Sequence, residues 1–236
     1  MGVYAVTGGS NGIGAKTISI LKQKGHETIN IDWKRGDIEA DLSLPEGRQK
    51  AIDELFSLCP QGLDGLILCA GIPGSRKDLR LILSVNYFGT ISIIKGAYDL
   101  LKQKNGACVI SASSAISRED MKTDLVDLLN NNRDDEYRIL EVIGRMDGAD
   151  LNTGDQIYAA SKYALCAGCA ATLPPMPPTA SDQCRGSWEC KHPYDSDRVK
   201  GYGSGLKCPS DPHKVRHKKA DGSGRNRFCD HISHLS

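Results

Sequence analysis

The stretch Thr7-Gly8-Gly9-Ser10-Asn11-Gly12-Ile13-Gly14 follows a short apolar run, Val3–Val6, and precedes a segment with helical periodicity. A glycine-rich turn between a buried strand and a helix lets the backbone come close to a phosphate, while the free N–H groups at the start of the helix face the anion. Here Gly8 leaves the strand, Gly12 permits the close approach and Gly14 lets the helix pack on the sheet. We therefore predict a pyrophosphate-binding turn, the alternative being a tight turn that binds no ligand.

Apolar runs alternate with helical patterns from this turn to Leu165. This alternation predicts an α/β fold with a doubly wound parallel sheet of the Rossmann type. The expected strands are Val3–Val6, Thr28–Ile31, Leu63–Cys69 and Cys108–Ser111. The expected helices are Ala15–Lys24, Gly47–Leu58, Leu81–Lys102 and Tyr158–Leu165. We expect one dinucleotide-binding domain over residues 1–165, followed by an irregular tail over residues 166–236 in place of the last strands.

Composition narrows the class of protein. The 236 residues carry a net charge of +1, which gives no broad electrostatic reason to bind nucleic acid or an anionic membrane. The chain has no apolar run long enough for a membrane span, and its N-terminus opens directly into the first strand without a signal-peptide pattern. We expect a cytoplasmic protein with no nucleic-acid or membrane partner, in which Cys59, Cys69 and Cys108 are reduced.

A carboxylate at the end of the second strand indicates which dinucleotide binds. Asp32 follows Asn30-Ile31, where it can accept hydrogen bonds from the adenosine ribose hydroxyls and repel a 2′-phosphate. NAD is therefore favoured over NADP, although Lys34 and Arg35 weaken the preference. An ordinary strand-end carboxylate is the alternative.

Further polar residues follow at intervals that suit a catalytic site. Tyr158 and Lys162 are four residues apart, so they share one face of a helix. The hydroxyl cluster Ser111-Ala112-Ser113-Ser114 lies at the carboxyl end of the sheet, where doubly wound folds bind ligands. Asn86 lies within a long predicted helix, where its helix propensity is poor, and its amide either holds a water in a proton path or caps the surface.

In this order the motifs resemble those of the short-chain dehydrogenase/reductase family in its classical form, from about Val3 to Leu165. Within the family they are most similar to the bacterial 3α-hydroxysteroid dehydrogenase/carbonyl reductase group. The stretches that carry this similarity are Asn30-Ile31-Asp32, Ala40-Asp41-Leu42-Ser43, Leu68-Cys69-Ala70-Gly71 and Ser84-Val85-Asn86-Tyr87-Phe88-Gly89. That group has a long, partly helical insertion before the tyrosine, and residues 117–152 fit it.

The resemblance implies an NAD-dependent oxidoreductase that interconverts a secondary alcohol and a ketone, with a 3α-hydroxysteroid as one candidate substrate. It implies Tyr158 as acid/base, Lys162 as its electrostatic partner and ribose ligand, and Asn86 as the water-holding residue. It also implies a serine that positions the substrate oxygen, either Ser113 or the near alternative Ser114. The predicted cofactor-binding residues are Thr7, Gly8, Ser10, Asn11, Gly12, Ile13, Gly14, Asp32, Asp41, Leu42, Cys69, Ala70, Gly71, Tyr158 and Lys162. We expect no metal, and a homodimer or homotetramer is compatible with the resemblance.

The tail from Cys166 onward departs from the family pattern. Prolines interrupt it, and the family motif Asn-x-x-x-Pro-Gly-x-x-x-Thr, which closes over the nicotinamide, is missing. Read one nucleotide later, the codons of Gln183–Tyr194 permit Asn-Ala-Val-Ala-Pro-Gly-Ser-Ala-Asn-Thr-Pro-Met, which contains this motif. We interpret the tail as a frame-shifted translation, with the shift between Leu165 and Asp182, and expect little regular structure in it.

Two rival hypotheses remain. Cys166 and Cys169 have the spacing of a zinc-ligand pair. Further candidate ligands are Cys184, Cys190, His192, Cys208, His213, His217, Cys229, His231 and His234. Because no second pair follows at a regular distance, we do not favour zinc. The rival to an active oxidoreductase is a catalytically impaired relative that is at most a nucleotide-binding module.

Overall fold

The computed structural model describes residues 1–132, 134–146 and 150–172, with side chains in the last helix as far as Ala167. Within these residues five parallel strands form one sheet in the order β3-β2-β1-β4-β5. The strands are β1 (Val3–Thr7), β2 (Glu27–Asp32), β3 (Ile38–Glu39), β4 (Gly65–Leu68) and β5 (Ala107–Ile110). The predicted α/β fold with a parallel, Rossmann-type sheet is confirmed.

Strand β1 lies at the centre of the sheet and explains where ligands can bind. It pairs on one side with β2, with Val3 opposite Glu27, and on the other with β4, with Tyr4 opposite Gly65. Ala5 and Val6 are fully buried, as expected for a strand covered by helices on both faces. Because the strand order reverses next to β1, a crevice opens between the carboxyl ends of β1 and β4.

Ten helical segments connect and cover the strands of the described part of the chain. They are α1 (Gly12–Gln23), α2 (Pro45–Leu58), α3 (Leu79–Leu83), a π-helical segment (Ser84–Gly89), α4 (Thr90–Gly96), α5 (Tyr98–Lys104), a 3₁₀ turn (Ser114–Ser117), α6 (Thr123–Asn131), α7 (Glu136–Gly144) and α8 (Leu151–Thr172). Local signals set their ends. Pro45 lies in the first turn of α2, where its missing N–H leaves no bond unmade. The Asp78 carboxylate accepts hydrogen bonds from the first backbone N–H groups of α3, and Asn105 ends α5 in the left-handed conformation.

The structure corrects two boundaries. The single helix expected over Leu81–Lys102 is divided by the π-helical segment and by a break at Ala97. The two-residue strand β3 is too short to give a sequence pattern, although Asp41 follows it as expected. The helices α6 and α7 lie within the predicted insertion, residues 117–152, which is therefore partly helical as expected.

The helix expected over Tyr158–Leu165 is longer than predicted, since α8 begins at Leu151 and continues through Thr172. The expectation of little regular structure from about Cys166 onward is therefore wrong for residues 166–172. Alanine is the best helix former, and the first proline after Leu165 is Pro174, so the local sequence supports this extension. The frame-shift and zinc hypotheses fall mostly on residues 173–236, which lie outside the described residues.

Membrane-spanning helices and metal-binding clusters are both absent from the described part of the chain. None of its helices is both long and apolar enough to cross a membrane. Within the same residues, no group of three or more His, Cys, Asp or Glu side chains is placed to hold a metal ion.

Candidate active site

The glycine-rich turn after β1 has the backbone geometry of an anion cradle. Gly8 and Gly12 adopt positive φ angles of 69° and 56°, which residues other than glycine rarely adopt. A Cβ at Gly8 would lie 2.7 Å from the backbone nitrogen of Ala70, and a Cβ at Gly14 would lie 2.2 Å from the carbonyl oxygen of Gly8. Gly12 has open space around it. The turn therefore folds tightly on the sheet while it leaves one side free.

Helix α1 directs its N-terminus towards that free side. Asn11 is the N-cap residue, its side chain makes no capping hydrogen bond, and the first turn of the helix carries no acidic residue. The partial positive charge of the helix start is therefore not neutralised locally. Asn11, Gly12 and Ile13 are exposed, so the predicted phosphate-binding residues are accessible to a ligand.

Asp32 is held at the end of β2 next to this turn. Its Oδ2 accepts a hydrogen bond from the backbone N–H of Ser10 at 2.9 Å, and its Oδ1 accepts one from Trp33 at 2.8 Å. The Ser10 hydroxyl in turn donates to the carbonyl of Lys34 at 3.0 Å and accepts from the Asn30 amide at 3.0 Å. Each carboxylate oxygen keeps a second lone pair that can accept a bond from a ribose hydroxyl.

A cationic side chain lies beside this carboxylate. The Lys34 ammonium is 4.4 Å from the centre of the Trp33 ring, and both residues are exposed. A cation–π contact of this kind keeps a positive charge near the end of β2. A positive charge at this strand end would attract a 2′-phosphate, so it would weaken the NAD preference expected from Asp32.

The start of the loop after β4 is tied to β1. Thr7 is 1% exposed, and its hydroxyl accepts a hydrogen bond from the backbone N–H of Ala70 at 3.1 Å. The N–H of Cys69 donates to the carbonyl of Thr7 at 3.1 Å. Thr7 therefore fixes the segment from Cys69 to Gly71 beside the phosphate turn.

Three predicted site residues meet at Gly71. A Cβ on this glycine would lie 3.2 Å from Asn86 Oδ1 and 3.4 Å from Lys162 Nζ. A side chain at Gly71 would therefore press on both groups. The structure brings together the end of β4, the π-helical segment and helix α8, as the predicted site requires.

Lys162 lies in a dry environment at this meeting point. It is 5% exposed, and its ammonium donates to the carbonyl of Ser111 at 3.3 Å. Burial lowers the pKa of Lys162, while the nearby thiols of Cys69 and Cys166 act in the opposite direction. Because charges act more strongly where water is excluded, the ammonium exerts a strong field on its neighbours.

Tyr158 lies on the same helix as Lys162, and the two candidate serines follow Ser111, whose carbonyl accepts the hydrogen bond from the Lys162 ammonium. Tyr158 is half-buried and precedes Lys162 by one helical turn of α8. Ser113 is half-buried and its hydroxyl accepts from the N–H of Ala115 at 3.2 Å, whereas Ser114 is exposed. The greater burial favours Ser113, and the choice between the serines stays a prediction.

Asn86 is fully buried, so the surface-capping alternative for this residue is wrong. Its Oδ1 accepts from the backbone N–H of Ile72 at 2.8 Å, and its Nδ2 donates to the Ile72 carbonyl at 3.0 Å. The carbonyl of Asn86 accepts from the Thr90 hydroxyl at 2.9 Å. The amide thus holds the loop after β4, and the water-holding role stays a prediction.

Asp41 and Leu42 follow β3 at the same edge of the sheet. Asp41 is exposed, and its Oδ1 accepts from both the N–H and the hydroxyl of Ser43 at 2.9 and 2.7 Å. Leu42 is 6% exposed, and its carbonyl accepts a hydrogen bond from Arg48 at 2.7 Å. Sequence reasoning missed Arg48. A signal was present, because Arg48 lies three and seven residues before Ala51 and Leu55 on the buried stripe of α2.

Comparisons with known proteins show the family to which the chain belongs. The family described as short chain dehydrogenase matches residues 2–124. The chain is 34% identical over 167 residues to the 3-alpha-hydroxysteroid dehydrogenase/carbonyl reductase of Comamonas testosteroni, which covers 70% of this chain and 63% of the relative. It is 36% identical over 120 residues to the coniferyl-alcohol dehydrogenase of Pseudomonas sp. strain HR199, which covers 48% of this chain and 44% of the relative.

A solved structure gives the same result. The 3-alpha-hydroxysteroid dehydrogenase from Pseudomonas sp. B-0831, complexed with NADH, has a TM-score of 0.65 and 33% identity over 72% of this chain and 65% of that chain. The present chain thus spans less than two thirds of the length of both hydroxysteroid dehydrogenases. The chain belongs to the short-chain dehydrogenase family, as its motifs predict.

Proposed function

We propose that this protein is an NAD-dependent oxidoreductase that interconverts a secondary alcohol and a ketone. The observation that carries the proposal is the convergence of Gly71, Asn86 and Lys162 beside the glycine-rich turn, at the carboxyl edge of the sheet. The relatives are named as dehydrogenases and reductases, which favours an enzyme over a nucleotide-binding module without chemistry.

The described residues fit a nicotinamide dinucleotide. The open space at Gly12 and the uncapped start of α1 would receive the pyrophosphate, and Asp32 would accept bonds from the adenosine ribose. Asp41 and Leu42 would flank the adenine, and Cys69, Ala70 and Gly71 would border the nicotinamide half. The remaining predicted contacts are Thr7, Gly8, Ser10, Asn11, Ile13, Gly14, Tyr158 and Lys162. When bound, the cofactor supplies or accepts the hydride.

The chain's own residues would handle the proton. In alcohol oxidation Tyr158 takes the hydroxyl proton of the substrate, and in ketone reduction it returns that proton to the carbonyl oxygen. The Lys162 ammonium stabilises the phenolate of Tyr158, because it is held nearly free of water one helical turn away. The hydroxyl of Ser113, or of Ser114, donates a hydrogen bond to the substrate oxygen and orients it.

The proposed substrate class is a cyclic or otherwise bulky secondary alcohol, with a 3α-hydroxysteroid as the first candidate. This suggestion rests on the names of the relatives and on the insertion, which supplies two amphipathic helices near the site. Cytoplasmic location, a homodimer or homotetramer, and the absence of nucleic-acid and membrane partners stay predictions.

Purified protein tests the proposal in two steps, with the chain as given and with a form in which the reading frame of the tail is restored. Binding of NADH is measured by its fluorescence, and turnover is measured by absorbance with a panel of hydroxysteroids and simple secondary alcohols. We expect both forms to bind NADH, and the restored form to oxidise at least one member of the panel with NAD. Binding without turnover by the restored form would instead support the nucleotide-binding module, and absence of both would contradict the proposal.

A further inference from the structure

Arg48 is a buried cation outside the proposed chemistry. It lies in the first turns of α2 and is 3% exposed. Its guanidinium forms a bidentate pair with Glu136, with Nη1 and Nη2 at 2.6 and 2.8 Å from the carboxylate oxygens. A planar fork of this kind fixes the relative orientation of the two side chains.

The same guanidinium contacts three backbone carbonyls. Nε donates to Leu42 at 2.7 Å, and Nη2 lies 3.0 Å from the carbonyl oxygen of Ser84 and 3.2 Å from that of Ser43. Leu42 and Ser43 belong to the segment proposed to flank the adenine, and Ser84 begins the π-helical segment that carries Asn86. One side chain therefore bonds to both parts of the cofactor site.

Close packing makes this arrangement sensitive to small shifts. A Cβ on Gly47 would lie 2.1 Å from the carbonyl oxygen of Asp41, and one on Gly89 would lie 2.9 Å from that of Leu42. The segment after β3 is thus confined between the start of α2 and the π-helical segment. A displaced guanidinium would leave the Leu42 carbonyl without this donor in a site that has little room to adjust.

Glu136 brings the insertion into the same network. It is the first residue of α7, and its side chain is only 23% exposed. The insertion has a second buried link at Tyr87, in the π-helical segment, whose hydroxyl donates to the carbonyl of Leu129 at 2.6 Å. Both links join the insertion to the segments that flank the cofactor site.

We propose that Arg48 is a positioning residue that couples cofactor binding to the order of the insertion. This inference rests on the proposed function. Arg48 bonds both to the Leu42 carbonyl and to the Glu136 carboxylate, so the position of the adenine-flanking segment and the position of α7 depend on each other. Cofactor binding therefore stabilises α7, and an ordered α7 strengthens cofactor binding. Such coupling is reciprocal because both effects are one free-energy difference.

The test separates positioning from simple structural support. Removing one partner of a buried ion pair destabilises a fold, whereas replacing both with apolar residues often restores stability. The double variant Arg48→Met/Glu136→Leu should therefore have a free energy of unfolding in urea close to that of the unmodified chain. It should bind NADH about tenfold more weakly, since the backbone carbonyls of Leu42, Ser43 and Ser84 lose the Arg48 N–H groups that donate to them. The control is Asp134→Asn, which breaks the exposed 3.0 Å pair between Lys95 and the insertion, and it should bind NADH normally.

Hydrogen exchange provides the second measurement. NADH should slow amide exchange in residues 136–144 of the unmodified protein and of Asp134→Asn, but not of the double variant. The inference is overturned if the double variant binds NADH normally, if its loss of binding only follows its folded fraction, or if exchange in α7 responds to NADH in all three proteins. Failure of the unmodified chain to bind NADH would overturn the proposed function itself.

Discussion

Asn86 and Ile72 are joined by two hydrogen bonds, in which the side-chain amide of one residue pairs with both backbone groups of the other. The amide thus supplies Ile72 with one acceptor and one donor, as the backbone of a neighbouring β-strand would. It can do so because the π-helical segment turns Asn86 out of regular α-helical register, and such segments are frequent at functional sites. The loop after β4 is thereby fixed from the side of the helix layer.

Replacing Asn86 tests this link. Asn86→Ala would leave the backbone N–H and C=O of Ile72 without these partners, so we expect a loss of about 1–3 kcal/mol in the free energy of unfolding and a fall in kcat. Urea unfolding and turnover with NAD measure the two effects. Asn131→Ala, at an exposed helical asparagine, is the control and should change neither. Unchanged turnover by Asn86→Ala would show that the loop does not depend on this amide.

Removing the Tyr158 hydroxyl tests the proposed acid/base. In an active form of this enzyme, Tyr158→Phe keeps the ring but removes the group that exchanges the proton, so turnover should fall by about two orders of magnitude or more. The affinity for NADH, measured by fluorescence, should stay nearly unchanged. Tyr163→Phe on the same helix should retain activity. Retained turnover by Tyr158→Phe would refute the assignment of this residue.

Asp32 should determine the choice between NAD and NADP. We expect the unmodified chain to bind NADH more tightly than NADPH, and Asp32→Asn to reduce the ratio of the two affinities about tenfold. The substitution removes the charge that repels a 2′-phosphate but keeps an oxygen that can accept from the Ser10 N–H. Binding constants for NADH and NADPH give the ratio. Equal affinities in the unmodified protein would mean that Lys34 and Arg35 outweigh the carboxylate.

Cys59 should contribute to stability in a manner that depends on pH. Burial, assisted by Glu27 and opposed by Lys104, raises the pKa of the Cys59 thiol from 9.0 to about 11. Between these two values the native protein keeps a proton that the unfolded chain has lost, so this contribution is complete below pH 9 and declines as the pH rises. Between pH 8 and pH 10, the free energy of unfolding of the unmodified protein should fall by about 1 kcal/mol more than that of Cys59→Val. The measurement is urea unfolding at both values, and identical losses for the two proteins would contradict it.

The sequence predicted the features that depend on local pattern. The glycine-rich turn, the spacing of Tyr158 and Lys162 and the positions of the longer strands along the chain follow from periodicity and backbone conformation, and β1, β2, β4 and β5 overlap the four predicted ranges. The contacts of Asn86 with Ile72, and of Arg48 with Ser84 and Glu136, could not be predicted, because these partners are brought together only by the tertiary fold. The end of α8 is predicted too early, because the composition changes after Leu165 while the alanines that follow still favour a helix.

The tail gives the last prediction, which concerns the coding frame. Within the described residues β5 pairs with β4, and its apolar side chain Val109 is 38% exposed. An apolar strand at the edge of a sheet promotes aggregation unless another element covers it. The alternate frame of residues 183–194 would supply the family motif that closes over the nicotinamide. We therefore expect resequencing to show a one-nucleotide shift between codons 165 and 182.

Expression of both forms tests the physical consequence. The chain as given should be weakly active or inactive, whereas the form with the restored frame should gain solubility and NAD-dependent turnover together, because covering β5 and completing the nicotinamide site depend on the same segment. Ultracentrifugation measures the soluble fraction, and absorbance at the NADH band measures turnover. Tyr158→Phe in the restored form should remain soluble but inactive, which separates folding from chemistry. Normal turnover by the chain as given, or an unshifted coding sequence, would refute the frame-shift interpretation.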